Sequence, residues 1–330
     1  MHLSPGRIKL ILIRTAPVIV RISIGHQFRS DDHESGIPVH RMRACSMNRS
    51  VSPRNRKADQ PSSATFSQDA DIRYRELEQK ISELQRDYAE LHTALSEAAQ
   101  VHRKLCPPRR LRYGSFHIAS EIFAVRQLPG DFFIVRKIMQ GLMLSLGDIC
   151  GKGLAAGMWV THLAGLLTMH TAVNVEARAV VAAVHKSFRQ TPTMPLTSLF
   201  QATLDLASGR LDYCNAGHPP ALLLHSAGGI EQLSDGGPLL GALPFDSFTQ
   251  SSARLEPGDA LVIYSDGILD STDPSGEQFG PRRLEELLRQ VQSQDAGALL
   301  LSVLGAVQDY SGGYPIQDDM SLVVIRREAV

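Results

Sequence analysis

Apolar residues change their spacing along this chain, and each spacing predicts an element. Between Asp71 and Arg103, Leu77, Ile81, Leu84, Tyr88, Leu91, Leu95, Ala98 and His102 recur at alternating steps of four and three. The stretch is rich in Glu, Gln, Leu, Arg and Ala and free of Gly and Pro. This heptad seam, about four repeats with charged residues beside it, predicts a helix able to form a parallel two-stranded coiled coil. A single helix packed on its own domain would show the same spacing. Pro107 and Pro108 end it. Beyond Ser115 the apolar runs shorten. Ser115–Val125, Asp131–Arg136 and Leu142–Leu146 read as strands, and Leu154–His170 and Val175–Phe188 as helices. Leu199–Leu206 and Arg210–Cys214 flank Ala207-Ser208-Gly209 as a hairpin, and Ala221–His225 and Ile230–Leu233 flank Ala227-Gly228-Gly229 as another. Phe248–Leu255 and Asp259–Tyr264 read as a third strand pair, joined at Glu256-Pro257-Gly258. Helices near Arg282–Gln292 and Gly297–Tyr310 and a last strand, Met320–Arg326, complete the pattern. Short turns between strands, with helices grouped rather than alternating, predict an α+β domain of largely antiparallel sheets.

Composition narrows the class. The 330 residues carry no net formal charge and are 43% hydrophobic, which suits one large domain plus an appendage and points to no nucleic-acid partner. Four scattered cysteines (Cys45, Cys106, Cys150, Cys214) lack CxxC spacing, so the expectation is a reduced, cytoplasmic compartment without a thiolate zinc site. Ile8 to Ile24 is broken by Lys9, Arg14, Pro17 and Arg21, so neither a membrane span nor a well-formed secretory signal is expected there. Residues 25–70 are rich in Ser, Arg, Pro and Asp and are expected to be disordered. Met47 is a candidate true start, which would make residues 1–46 an artefact of the gene boundary. The expected organisation is an extension over 1–70, a coiled-coil linker over 71–106 and one domain over 107–330.

Candidate chemistry centres on Leu142 to Gly153, where an apolar run ends in Asp148 and the glycines Gly147, Gly151 and Gly153 surround the turn. Two readings stay open: Asp148 caps the next helix, or it is presented to a cation. A phosphate-binding P-loop is excluded, because three residues separate Gly147 from Gly151 and Gly153 follows Lys152. Asp131, Asp266 and Asp318 share the position of Asp148, each at the edge of an apolar strand pattern beside a turn. Carboxylates with few His or Cys nearby suit hard cations, Mg2+ or Mn2+. Spacing alone does not bring the four together. A nucleotide cyclase, suggested by Gly130-Asp131-Phe132-Phe133, would need a further acidic residue where Phe132 stands.

The stretch from about 95 to 327 resembles the SpoIIE/RsbU-type catalytic domain, a bacterial branch of the metal-dependent, type 2C-like protein phosphatases. Five blocks carry the resemblance in order: Gly130 to Phe133, Gly147 to Ala156, Leu204 to Pro220, Leu255 to Ile268 and Asp318 to Val324. The resemblance implies an α/β-β/α sandwich of two mainly antiparallel sheets flanked by helices, preceded here by the coiled-coil helix. It implies hydrolysis of phosphoserine or phosphothreonine on proteins with two Mn2+ or Mg2+ ions, roughly 3.5–4 Å apart, that acidify a shared water. Carried over position by position, Asp148 would bridge both ions and Ile149 would offer its backbone carbonyl to one. Asp266 and Asp318 would hold the other, and Asp131 would act on the Ile149 side. The implied substrate is a STAS-type anti-sigma-factor antagonist. A homodimer through the coiled coil and an upstream sensor protein are further expected partners.

This chain departs from the family pattern in places. Pro129 and Ile134 stand where the family has Gly and a second acidic residue, Asp270 stands where it often has Glu, and Ser321 replaces Thr. The loss at 134 motivates a second reading, a weak or inactive phosphatase-fold binding module. His218, in Asn215-Ala216-Gly217-His218-Pro219-Pro220, is either a general acid or a turn residue that fixes entry to the next strand.

Overall fold

The computed structural model describes residues 63–329 apart from 140, 192, 245 and 246, and without the side chains of 63–70. The expectations for 1–62, including the Met47 start, lie outside the described residues. A long helix, α1 (Ser63–Arg103), leads into β1 (Arg110–Tyr113), β2 (Phe116–Phe123), β3 (Asp131–Ile138) and β4 (Gly141–Ile149). Next come α2 (Leu154–Val173), α3 (Ala177–Gln190), β5 (Thr197–Asp205), β6 (Arg210–Ala216), β7 (Ala221–Leu224) and β8 (Ile230–Leu233). The short β9 (Gly236–Gly237), β10 (Ser251–Arg254), β11 (Ala260–Tyr264), α4 (Asp266–Leu269), α5 (Gly280–Val291), α6 (Ala296–Ser311) and β12 (Met320–Arg327) follow.

Two sheets result. One runs β1-β2-β12-β11-β7-β8, and the other runs β10-β6-β5-β4-β3 with β9 beside β6. Every pairing is antiparallel except β6 with β9. Alternation within the strands explains the layers. In β4, Leu142, Leu144 and Leu146 point into the core between the sheets, with Phe133, Phe200, Leu261 and Val323. Met143 and Ile149 point the other way, against Val160, Leu163 and Leu167 of α2 and Val180, Val184 and Phe188 of α3. Across the sandwich, Val262, Leu322 and Val324 meet Leu284 and Leu288 of α5 and Leu299 and Val303 of α6. Both faces of the central strands are buried, so they read as continuous apolar runs. The expected α/β-β/α sandwich is the architecture found.

Several local expectations change. Phe248–Leu255 and Asp259–Tyr264 do not pair with each other, because β10 joins β6 in one sheet and β11 joins β7 and β12 in the other. The Pro257-Gly258 turn carries the chain between layers. Strand β1 and the short β9 and α4 had no clear apolar periodicity to announce them. Helix α1 begins at Ser63, inside the stretch expected to be disordered. Its seam splits: Leu77, Ile81, Leu84, Tyr88 and Leu91 are exposed, Leu95 and Ala98 are partly buried, and His102 is buried, as is Ala99 beside the seam. The single-helix alternative therefore describes the C-terminal end, and the first part presents an uncovered apolar stripe.

Candidate functional site

Strand β4 continues through Asp148, so this residue is not the cap of α2; Gly153 occupies that position. In the β3–β4 ladder Asp148 sits directly opposite Asp131. Asp131 is buried, and its Oδ2 accepts hydrogen bonds from Ser265 Oγ at 2.7 Å and Ser321 Oγ at 2.6 Å. Those serines stand at the ends of β11 and β12, where Ser321 N–H also donates to Ser265 Oγ at 2.8 Å. One carboxylate thus bridges the two sheets. Burial drives the Asp131 carboxyl well above the usual range, and the Asp148 charge adds to this, while the two hydroxyls oppose it.

Asp148 is half-buried and pushed up to about 7, first by burial, then by Asp266, Asp318 and Asp319; a hydrogen bond with Asp131 opposes the rise. Asp266 opens α4, two residues after β11 ends, and is raised by burial and then by Asp318 and Asp270. Asp318 precedes β12 and accepts Lys152 Nζ at 2.8 Å. All four predicted carboxylates therefore gather at one end of the sandwich, two from each sheet. Among the described residues, no three His, Cys, Asp or Glu side chains already converge as a metal-ligating cluster. The carboxylates repel one another, and they form a negative field rather than a closed cage. The donor chemistry fits hard divalent cations: carboxylate oxygens, no thiolate or imidazole, and too little local positive charge to balance them.

Ile149 keeps its side chain in the α2–α3 core, and its backbone faces the site. Its N–H donates to the Gly130 carbonyl at 3.2 Å. A Cβ on Gly130 would lie 2.8 Å from the Ile149 carbonyl and 3.0 Å from Asp148 Oδ1, so only glycine permits this approach. Asp319, which the sequence reading passed over beside Asp318, holds the same loop. Its Oδ1 accepts Val125 N–H at 2.7 Å and its Oδ2 accepts Gly130 N–H at 2.8 Å. Its doublet with Asp318 was visible, but the target 189 residues earlier was not.

The burial of His218 favours its structural alternative. The ring is buried and pushed down to about 3 by burial, so it stays neutral at physiological pH and has no proton to give as a general acid. Its Nδ1 lies 2.8 Å from Ser198 Oγ, which in turn accepts the Asp148 backbone N–H at 3.2 Å. The histidine thus braces the strand that carries Asp148. Ile134 lies on the opposite face of β3 from Asp131, buried in the layer under α2 and α3. Asp270 accepts Gln278 Nε2 at 2.9 Å at the edge of the site.

Two stacked antiparallel sheets, helices outside and aspartates clustered at one end define the type 2C protein phosphatase fold. The SiaA-PP2C domain of Pseudomonas aeruginosa shares it with a TM-score of 0.65 at 18% identity, over 72% of this chain and 97% of that one. The RsbU and RsbW domains of Rv1364c from Mycobacterium tuberculosis match with a TM-score of 0.58 at 24% identity, over 66% and 64%. Within this fold the family profile of Stage II sporulation protein E (SpoIIE) matches residues 139–328, and the chain belongs to that family. Asp131 lies just before the matched stretch. Protein IcfG of Synechocystis is 28% identical over 223 residues, 59% of this chain but only 35% of IcfG. Phosphoserine phosphatase RsbU of Bacillus subtilis is 21% identical over 244 residues, 72% of this chain and 71% of RsbU.

Proposed function

We propose that this chain is a metal-dependent protein serine/threonine phosphatase that acts on a phosphorylated regulator in a partner-switching pathway. The substrate class is a STAS-type anti-sigma-factor antagonist. The observation that carries the reading is the half-buried Asp148, pushed to about 7 amid Asp131, Asp266 and Asp318 at the shared end of two sheets. Such a charge cluster suits a pair of divalent cations. The phosphoserine phosphatase activity named for RsbU supports the substrate chemistry, and the presence of both RsbU and RsbW domains in Rv1364c supports a switching partner.

Asp148, Asp266, Asp318 and the Ile149 carbonyl would hold two Mn2+ or Mg2+ ions, with Asp131 behind Asp148. When bound, these ions supply an acidified water and neutralise phosphoryl charge. The chain's own groups position that chemistry. Ser265 and Ser321 fix Asp131, Asp319 pins the loop that carries Gly130, and His218 braces β4 through Ser198. The Ser198 hydroxyl bonds His218 and accepts the Asp148 N–H, which ties it to β4, and the nucleophile in this reading is water. The binding-module alternative rested on Ile134, whose side chain belongs to the helix-side core, away from Asp131.

The organisation that accompanies this reading is a linker helix ahead of one catalytic domain. The exposed stripe on α1 would pair with a second copy, and an upstream sensor would act through it. Among the described residues no helix is long and apolar enough to cross a membrane, and a cytoplasmic setting is proposed. The test is hydrolysis of an aryl phosphate and a phosphoserine protein by the full chain with Mn2+ titrated in. Turnover that depends on Mn2+ and disappears in Asp266→Ala is expected. Folded protein without turnover at millimolar Mn2+ would overturn the reading.

A further inference from the structure

Lys152 is the one cation paired with this carboxylate cluster among the described residues. Its Nζ lies 2.8 Å from Asp318 Oδ1 and donates to the Gln317 carbonyl at 2.6 Å. The lysine sits on the β4–α2 turn between Gly151 (φ 128°) and Gly153 (φ 77°), a backbone that only glycines follow easily. That turn throws a side chain from the end of β4 in one sheet onto a carboxylate just before the start of β12 in the other. Asp318 Oδ1 also accepts the Asp319 N–H at 2.9 Å, so the oxygen already has two donors. A divalent cation on this carboxylate competes with the ammonium group for its charge and weakens the pair. The lysine also lines a cavity of about 330 Å3 beside the cluster, whose other walls include Gly267, Asp270, Ser271, Gln278 and Tyr314. A released ammonium remains within reach of that cavity, because Lys152 lines it.

We propose that Lys152 is an exchangeable counter-ion. It neutralises Asp318 while the cluster lacks a divalent cation, and when one takes Asp318 it turns to the phosphoryl group of the substrate in the adjoining cavity. The proposal rests on the metal-site reading above and adds a coupling to it. One side chain weakens metal binding and strengthens phosphate binding, so phosphate is held well only after the metal has arrived. The 34% exposure of Lys152 and 46% of Asp318 keep the pair labile enough to exchange.

The test is an electron paramagnetic resonance titration of Mn2+ into full-length wild type, Lys152→Met and Lys152→Arg, followed by calorimetric titration of inorganic phosphate into each Mn2+-loaded protein. Lys152→Met removes the charge and keeps the stem. It is expected to bind Mn2+ about three- to fivefold more tightly and phosphate about tenfold more weakly. Lys152→Arg should stay near wild type in both. Lys152→Gln serves the same purpose if the methionine variant does not fold. Equal or weaker Mn2+ binding by the neutral variants, unchanged phosphate binding, or no Mn2+ binding by any protein would each overturn the proposal. The titrations need no turnover, so a chain that binds Mn2+ yet cleaves no phosphoserine would refute the phosphatase reading alone.

Discussion

Removing the charge of Asp148 should stabilise the protein in the absence of metal. A carboxyl held near 7 rather than at its ordinary 3.8 has an ionised form that the fold disfavours. The sign follows from linkage. The stability this group contributes is fully present below 3.8, where both folded and unfolded chains carry the proton. It is lost as pH rises through about 7, where the folded chain must finally release it. Above that point the difference amounts to about 4 kcal/mol. Half-burial and the hydrogen bond shared with Asp131 reduce the usable figure to about 2 kcal/mol, roughly 5 °C in melting temperature for a domain of this size. The backbone bond from the residue 148 N–H to Ser198 survives in Asp148→Asn, so the substitution changes charge and little else.

The assay is thermal unfolding of wild type and Asp148→Asn in EDTA at pH 8 and at pH 5. At pH 8 the variant should melt higher by about 5 °C. At pH 5 the folded wild type keeps the proton on Asp148 but the unfolded chain has released it, so the gap should narrow without closing, and it should vanish only below 3.8. Adding Mn2+ at pH 8 should raise the wild type and leave the variant where it was. A variant that melts lower than wild type at pH 8 in EDTA would refute the reasoning. It would mean that hydrogen bonds satisfy the ionised Asp148 and that its acidic neighbours do not strain it.

Two further outcomes can be checked. The uncovered stripe on α1 predicts a dimer by analytical ultracentrifugation, and Leu84→Glu combined with Tyr88→Glu should give a monomer with an unchanged sandwich; a wild-type monomer would end the coiled-coil reading. His218, depressed to about 3 from 6.5, should make the fold lose stability as pH falls from 6.5 toward 3, because only the unfolded chain takes up the proton there; in urea unfolding, His218→Asn should lose about 2 kcal/mol less than wild type between pH 7 and pH 5.

What could be read from the chain, and what could not, follows from how far each interaction reaches along it. Leu142, Leu144 and Leu146 announced a buried strand because alternate residues face two cores, and that information is local. The α3 helix was legible for the same reason, since Val180, Val181, Val184 and Phe188 repeat at helical spacing. The β10–β11 connection misled because Pro257-Gly258 marks a turn without saying which sheet each strand joins. Nothing near a turn encodes a partner in another layer. The same limit divides the site. Asp131, Asp148, Asp266 and Asp318 were found as acidic strand ends and by family resemblance. Asp319 was missed because its bonds reach back to Val125 and Gly130, across the whole domain.

These long-range bonds also explain why the site needs the entire sandwich. One sheet supplies Asp131 and Asp148 opposite each other on adjacent strands, where each charge disfavours the other. The other supplies Asp266 and Asp318, together with Ser265 and Ser321, whose hydroxyls favour the charged form of Asp131. Only when the layers pack do the opposing influences meet. Burial and like charge raise Asp131, Asp148 and Asp266, while serine hydroxyls oppose this at Asp131, backbone N–H groups oppose it at Asp266, and Lys152 pairs with Asp318. The hydrophobic core between the sheets, from Phe116 to Ile325, holds these charges together against that repulsion. Folding thus stores at one end of the sandwich an electrostatic cost that a divalent cation, on the proposed reading, would relieve, and the stability of the core is what carries that cost.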